Sequence, residues 1–212
     1  MPANSDHTKQ RLILAAEELF ALHGIDAVSL RSINQHAEQK NTSAVKYHFG
    51  NVSGILAAIL ELRMSALEAI RKDALEQLHL SGQPITLNEY VDVLARPLAE
   101  KVLGIKGGIV DRGWSSYVQI LSQITSSKGE IYTVSRESDS SGASTEIFAM
   151  IRSELPAMAD VVFRLREQEL IRFVLMSLSD RVSLIRLGKT PPLSTEEYID
   201  NLCRVSAAML SA

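Results

Sequence analysis

The chain has 212 residues, 46% of them hydrophobic and 22% charged, with a formal net charge of −3. That is enough chain for one or two domains with a sizeable core, and too apolar to remain disordered. The single cysteine, Cys203, excludes an internal disulfide framework and fits a reducing compartment.

The N-terminal "MPANSDHTKQR" lacks the apolar centre of a signal peptide. Residues 8–23, "TKQRLILAAEELFALH", then place Leu12, Ala16 and Leu19, with Ile13 and Phe20 one step round, on a helical stripe. Thr8 fits as its N-cap and Gly24 as its C-terminal stop. In "VSLRSINQHAEQ" Ser29 fits a second cap, and Val28 and Ile33 have the spacing of a hydrophobic staple. This second helix ends by Gln39. "KNTSAVKYHF" forms a third short helix, capped by Asn41 or Thr42 and broken by Gly50 and Asn51.

A long fourth helix follows over 52–80. Further helices are expected near 86–103, 108–125, 144–155, 161–187 and 194–210, separated by "SGQP", "GIKGG", "SSKG", "SDSSG" and "GKTPP". The stretch 161–187 is interrupted by Arg164, Arg166, Glu167, Glu169, Arg172 and Asp180, so it reads as an amphipathic helix rather than a membrane span. Only "EIYTV" at 130–134 is ambiguous between helix and strand, and the fold class is all-α. A cytoplasmic protein is expected.

Enzyme signatures are missing from this pattern. The glycines at 104, 107 and 108 lack the Gly-Lys-Ser/Thr of a phosphate loop. No Gly-x-Ser-x-Gly elbow is present, and no His/Cys/Asp grouping has metal-ligand spacing. The expectation is no enzyme, no cofactor and no metal.

Charge is unevenly distributed. Residues 1–11 with 31–48 carry five Lys/Arg against two Asp/Glu, a local +3 that leaves −6 for the rest of the chain. Three short helices, the second and third joined by a tight turn, outline a helix-turn-helix unit, whose third helix enters the DNA major groove. Val45 and Phe49 would face inward, and Thr42, Ser43, Lys46, Tyr47 and His48 outward as groups suited to phosphates and base edges. Tyr47 as a half-buried ring and His48 as an ordinary surface residue remain open from the residues alone.

Residues 8–62 resemble the N-terminal domain of the tetracycline-repressor (TetR) family of transcription regulators. The likeness is carried by "TKQRLILAAEELFALHG", "SLRSI" and "YHFGN" leading into a long helix with Leu56. The turn "AEQKNTS" departs from the usual Ala-Gly-Val-Ser, and Asn51-Val52 stand where the family has a lysine. The resemblance implies a three-helix DNA-binding head over 1–52 and a helical body over 53–212 that binds a small-molecule effector and dimerises. It further implies a regulator, expected to be a repressor, that binds a palindromic operator in double-stranded DNA as a homodimer and is released by its effector. Phosphate contacts are then expected from Thr8, Lys9, Arg11 and Arg31 at the starts of the first two helices. Asn41, Thr42, Ser43, Ala44, Lys46, Tyr47 and His48 would contact phosphates or base edges. The alternative is a helical small-molecule-binding or scaffold protein that has lost DNA binding.

In the body, Tyr90, Leu94, Trp114, Tyr117, Leu121, Phe148 and Ile151 are candidates for a ligand pocket, and each also fits a plain core. Phe173 and Met176, with Tyr198, Leu202, Val205 and Met209 at a 4-3-4 spacing on the last helix, are candidates for a dimer seam. Ser194 and Glu197 form a capping box at that helix's start.

Overall fold

In the computed structural model, residues 2–41, 43–104, 112–128 and 142–211 are described, and helix is the only regular structure among them. In chain order these are α1 Pro2–His23, α2 Leu30–His36, α3 Ala44–Phe49, α4 Val52–Leu80 and α5 Leu87–Leu103, followed by α6 Arg112–Lys128, α7 Ala143–Glu154, α8 Asp160–Arg186 and α9 Thr195–Ser211. A short 3-10 turn at Ile25–Ala27 joins α1 to α2. The ambiguous stretch at 130–134, Gly107 and Gly108 lie outside the described residues.

The caps explain most boundaries. The Ser29 hydroxyl accepts the Ser32 backbone N–H at 3.1 Å, and the Ser32 hydroxyl accepts that of Ser29 at 3.0 Å, a reciprocal box at the start of α2. Val28 and Ile33 are buried on either side of it, as a staple requires. Asn51 caps α4 through Gly54, and Ser194 with Glu197 caps α9 in both directions. One boundary differs from expectation. Helix α1 begins at Pro2, so Thr8 lies inside it rather than capping it.

Two apolar cores result. Leu12, Ala16, Leu19 and Phe20 of α1 pack with Ile33 of α2, Val45 of α3 and Ile55 and Ile59 of α4. The larger core joins α4–α9, with Tyr117, Ile147, Leu170, Leu178 and Ile199 among its fully buried residues. Helix α4 therefore passes from one core to the other between Ile59 and Leu67. The division expected at residue 52 falls ahead of Ile55 and Ile59, which pack with the head. Helix α6 also reaches back, placing Ile120 and Ile124 in the head core. Full burial of such a side chain contributes about 1.5–3 kcal/mol, so α6 and α4 both hold the head against the body.

Candidate nucleic-acid interface and ligand cavity

The seat of α3 is built on Asn34, which is 2% exposed. Its side-chain amide donates to the Leu30 carbonyl at 2.9 Å, and its oxygen accepts the Val45 N–H at 3.2 Å. One side chain thus ties the third helix to the second and pairs an N–H that the first turn of α3 leaves without a helical acceptor. Ala44 and Val45 are buried beneath it. Ala44 had been expected among the groove-facing residues. Its methyl instead packs into the head core, because the helix phase that buries Val45 turns Ala44 inward too.

The opposite face of α3 is open. Lys46 is exposed and Tyr47 is 82% exposed, with His48 half-buried and its ring edge-on to that of Tyr47 at 5.0 Å. Lys9 of α1 lies beside α3, its ammonium 5.9 Å from the Phe49 ring centre. The Asn41 side chain accepts the Ser43 N–H at 3.0 Å, and its carbonyl accepts the Ala44 N–H at 3.1 Å, so Asn41 shapes the turn while Ser43 stays exposed. Thr42 lies outside the described residues. Arg31 is exposed on the first turn of α2.

Two expected phosphate clamps stand differently. Thr8 is half-buried inside α1, where helical bonding occupies its backbone N–H, so no free helix start exists there. The Arg11 guanidinium donates to the Ala37 carbonyl at 2.6 Å and lies 3.6 Å from the Glu38 carboxylate. It closes the C-terminal end of α2 while its side chain stays 41% exposed.

Sequence reasoning missed a second group at the junction of head and body. Glu17 of α1, 1% exposed, holds Arg63 of α4, whose guanidinium sits 5.1 Å from the Trp114 ring centre on α6. The available signal was that Glu17 falls at helical spacing between the buried Ile13 and Phe20.

Within the body a cavity of about 550 Å³ opens between α4, α5, α6, α7 and α8. Of the pocket candidates, Leu94, Tyr117, Leu121 and Phe148 lie on its lining. Tyr90, Trp114 and Ile151 do not: they are buried in the surrounding packing, Trp114 against Arg63. Charged residues that the sequence did not single out also border the cavity. Glu68 pairs with Arg71 at 2.8 Å, and Arg152 lies 3.6 Å from Asp160. The Tyr117 hydroxyl is buried with no hydrogen-bond partner among the described residues, and burial raises its pKa well above the usual phenol range.

On the outer face of α8 and α9, Met176 and Val205 are 36% and 37% exposed, and Phe173, Tyr198 and Met209 are half-buried. Leu202, expected on the same seam, is 2% exposed and belongs to the chain's own core. The inward stripe of α9 is Ile199, Leu202, Cys203, Ser206 and Leu210, one position round from the stripe expected. Tyr198 is held against α8 by its hydroxyl, which donates to the Ser177 carbonyl at 2.7 Å.

No family model matches the sequence, and no curated protein matches it. Solved structures do match. The chain is similar to FadR, a fatty acid degradation regulator from Bacillus halodurans, at 12% identity over 94% of each chain with a TM-score of 0.61. It is similar to a protein from Mesorhizobium loti named as a TetR-family transcriptional regulator, at 16% identity, 97% and 96% coverage and a TM-score of 0.53. A gamma-butyrolactone receptor, described as ArpA-like, matches at 18% identity, 97% and 98% coverage and a TM-score of 0.50. Among the described residues the molecule is therefore all-helical, with a three-helix N-terminal unit packed on a larger helical body. Its fold is that of the TetR-family regulators.

Proposed function

We propose that this protein is a ligand-responsive, DNA-binding transcription regulator that acts as a repressor. Two copies pair through the outer faces of α8 and α9, and each α3 enters a major groove of a palindromic operator. The half-sites then lie about 34–36 Å apart or at a multiple of that spacing. The observation that carries this reading is the division of α3. Ala44 and Val45 anchor it through Asn34, while Lys46 and the 82% exposed Tyr47 stand clear of the protein. Lys46, Lys9 and Arg31 supply phosphate contacts, and Ser43, Tyr47 and His48 reach base edges or phosphates. Residues 1–52 supply the DNA-binding surface, and the body supplies the effector cavity and the dimer seam.

The effector acts by binding one arrangement of the body better than another. It can shift the heads only by that difference in affinity. Helix α4 is the physical link, since Ile55 and Ile59 root it in the head while Leu67 and Leu75 root it in the body.

The test is retardation of the DNA upstream of the protein's own gene, against random DNA, at several salt concentrations, with the stoichiometry of the complex measured in parallel. Two chains on one pseudo-palindrome are expected, with affinity falling steeply as salt rises. Equal affinity for random DNA would favour the alternative, a helical ligand-binding or scaffold protein, and so would no binding at all. The engagement of Arg11 with Ala37 is the structural feature that favours that alternative.

A further inference from the structure

We propose that the body cavity takes an uncharged, largely apolar small molecule bearing one hydrogen-bond-accepting oxygen, such as a ketone, ester or alcohol, and that the Tyr117 hydroxyl binds that oxygen. The inference rests on the cavity being the effector site.

Glu68 and Arg71, charges at little-exposed positions around the cavity, are already paired, and Arg152 is engaged as well. Arg71 donates to Glu68 at 2.8 Å and to the Leu94 carbonyl at 2.9 Å, while the other Glu68 oxygen accepts the Ser144 N–H at 2.8 Å. Arg152 donates to the Met158 carbonyl at 2.6 Å, lies 3.6 Å from Asp160 and covers the Phe163 ring at 5.4 Å. A carboxylate or phosphate brought inside would have to break one of these pairs or remain an unpaired buried charge, which is strongly unfavourable. Glu61 and Arg164 border the cavity at exposed positions, where they meet only the solvent-facing end of a ligand.

The inner wall is apolar, formed by Leu94, Leu98, Leu121 and Phe148. Among these apolar residues stands Tyr117, beside the paired Glu68 and Arg71. It is fully buried, and its hydroxyl finds no acceptor among the described residues. Buried hydroxyls are nearly always paired, and an unpaired one is a standing cost to the free protein. Burial also keeps the phenol protonated, so the group is a donor. A small shift of this ring on ligand entry would give the hydroxyl its acceptor, and a ligand oxygen is the acceptor chemistry that introduces no charge.

The experiment uses the full chain and three probes of equal carbon count, namely methyl hexyl ketone, octanoate and octane. Binding is followed by the emission of Trp114, the chain's one tryptophan, whose ring centre is 5.8 Å from that of Tyr117. The ketone is expected to bind, with octanoate at neutral pH at least about tenfold weaker. Tyr117→Phe is expected to weaken the ketone by about three- to tenfold and to leave octane unchanged. The same substitution should not lower the unfolding temperature of the ligand-free protein, because it removes an unpaired group. Tighter binding of octanoate than ketone overturns the inference, as does no ketone binding or an unchanged ketone affinity in Tyr117→Phe. A lower unfolding temperature for the free variant also overturns it, since the hydroxyl would then already be paired. Trp114 emission needs no DNA, so loss of operator binding with ketone binding intact would sink the regulator reading alone.

Discussion

Glu17 on α1 and Arg63 on α4 form a two-point ion pair, with the guanidinium Nε and Nη2 at 2.8 and 2.7 Å from the two carboxylate oxygens. Their side chains are 1% and 11% exposed, and Trp114 of α6 covers the guanidinium. Three helices therefore meet through one buried pair at the head–body junction. Removing either side chain breaks both bonds of this buried pair, so Glu17→Ala or Arg63→Ala should each cost about 3–5 kcal/mol in urea denaturation. The double variant Glu17→Leu with Arg63→Met should recover a large part of that loss. A single-variant cost below about 1 kcal/mol, the range of an exposed pair, would show that the pair is not structural.

Gly113 is the residue that lets this pair fit. A Cβ there would lie 1.7 Å from Nη2 and 2.7 Å from Cζ of Arg63. Alanine gains about 1 kcal/mol over glycine in an ordinary helix, so the usual expectation is a more stable protein. Here the methyl must push aside a guanidinium held on both sides, an overpacking cost of about 1–3 kcal/mol with loss of pairing added. Gly113→Ala should thus be destabilising, and Trp114 emission should change because Arg63 leaves its ring. A stabilised variant with unchanged emission would mean that Arg63 can move away without cost.

Asn34 offers a prediction that separates folding from recognition. Asn34→Ala removes the acceptor of the Val45 N–H, leaving that buried donor unpaired at a cost of about 1–3 kcal/mol, and also removes the side-chain bond to the Leu30 carbonyl. Operator affinity should fall further than stability alone explains, since α3 loses its fixed angle to α2. Binding measured well below the unfolding temperature distinguishes the two. Wild-type affinity in a folded Asn34→Ala protein would show that α3 is seated by Ala44 and Val45 alone.

The head was legible because its signals are local. Leu12, Ala16 and Phe20 sit at helical spacing on α1 and Ile33 at the staple position of α2, and all four are buried. Ser29 and Ser194 lie at cap positions and do cap. What escaped the sequence was long-range or a matter of helix phase. Glu17 and Arg63 are 46 positions apart, and no periodicity couples them. In α9, the stripe Tyr198–Leu202–Val205–Met209 and the stripe through Ile199, Cys203, Ser206 and Leu210 lie side by side. Only packing against α5 and α8 decides which one faces the core. The start of α1 escaped for a different reason, since "PANSDH" carries no apolar stripe to mark it as helix. On its sequence Tyr117 fits a pocket wall or a plain core equally as a buried aromatic, and whether its hydroxyl had a partner required coordinates.

The turn between α2 and α3 contains Glu38 at φ +52°, a left-handed conformation that favours glycine. A side chain in that region costs about 1–3 kcal/mol. Glu38→Gly relieves this strain but loses the exposed contact with Arg11 at 3.6 Å, worth at most about 1 kcal/mol, and adds flexibility to the unfolded chain. The balance favours glycine by about 0.5–1 kcal/mol, read as a higher midpoint in thermal unfolding. Arg11 keeps its bond to Ala37 in this variant. A lower midpoint would place the Arg11–Glu38 contact above the ordinary range for surface pairs.

Lys46 and Tyr47 are adjacent and exposed, yet their losses should be distinguishable. An ammonium on a phosphate releases a condensed counterion, whereas a phenol hydroxyl on a phosphate or base releases none. Lys46→Ala should therefore weaken operator binding and lower the slope of log affinity against log salt by about 0.9 for each head engaged, or about 1.8 for a dimer. It should weaken random DNA to a similar degree, because phosphate contacts carry no sequence information. Tyr47→Phe should leave the slope unchanged, and where the hydroxyl reads a base edge it should reduce discrimination by about 1–3 kcal/mol. Measuring both slopes on one operator also counts the heads. A change of one unit rather than two for Lys46→Ala means that one α3 is engaged, which would sink the paired-groove arrangement while leaving DNA binding itself intact.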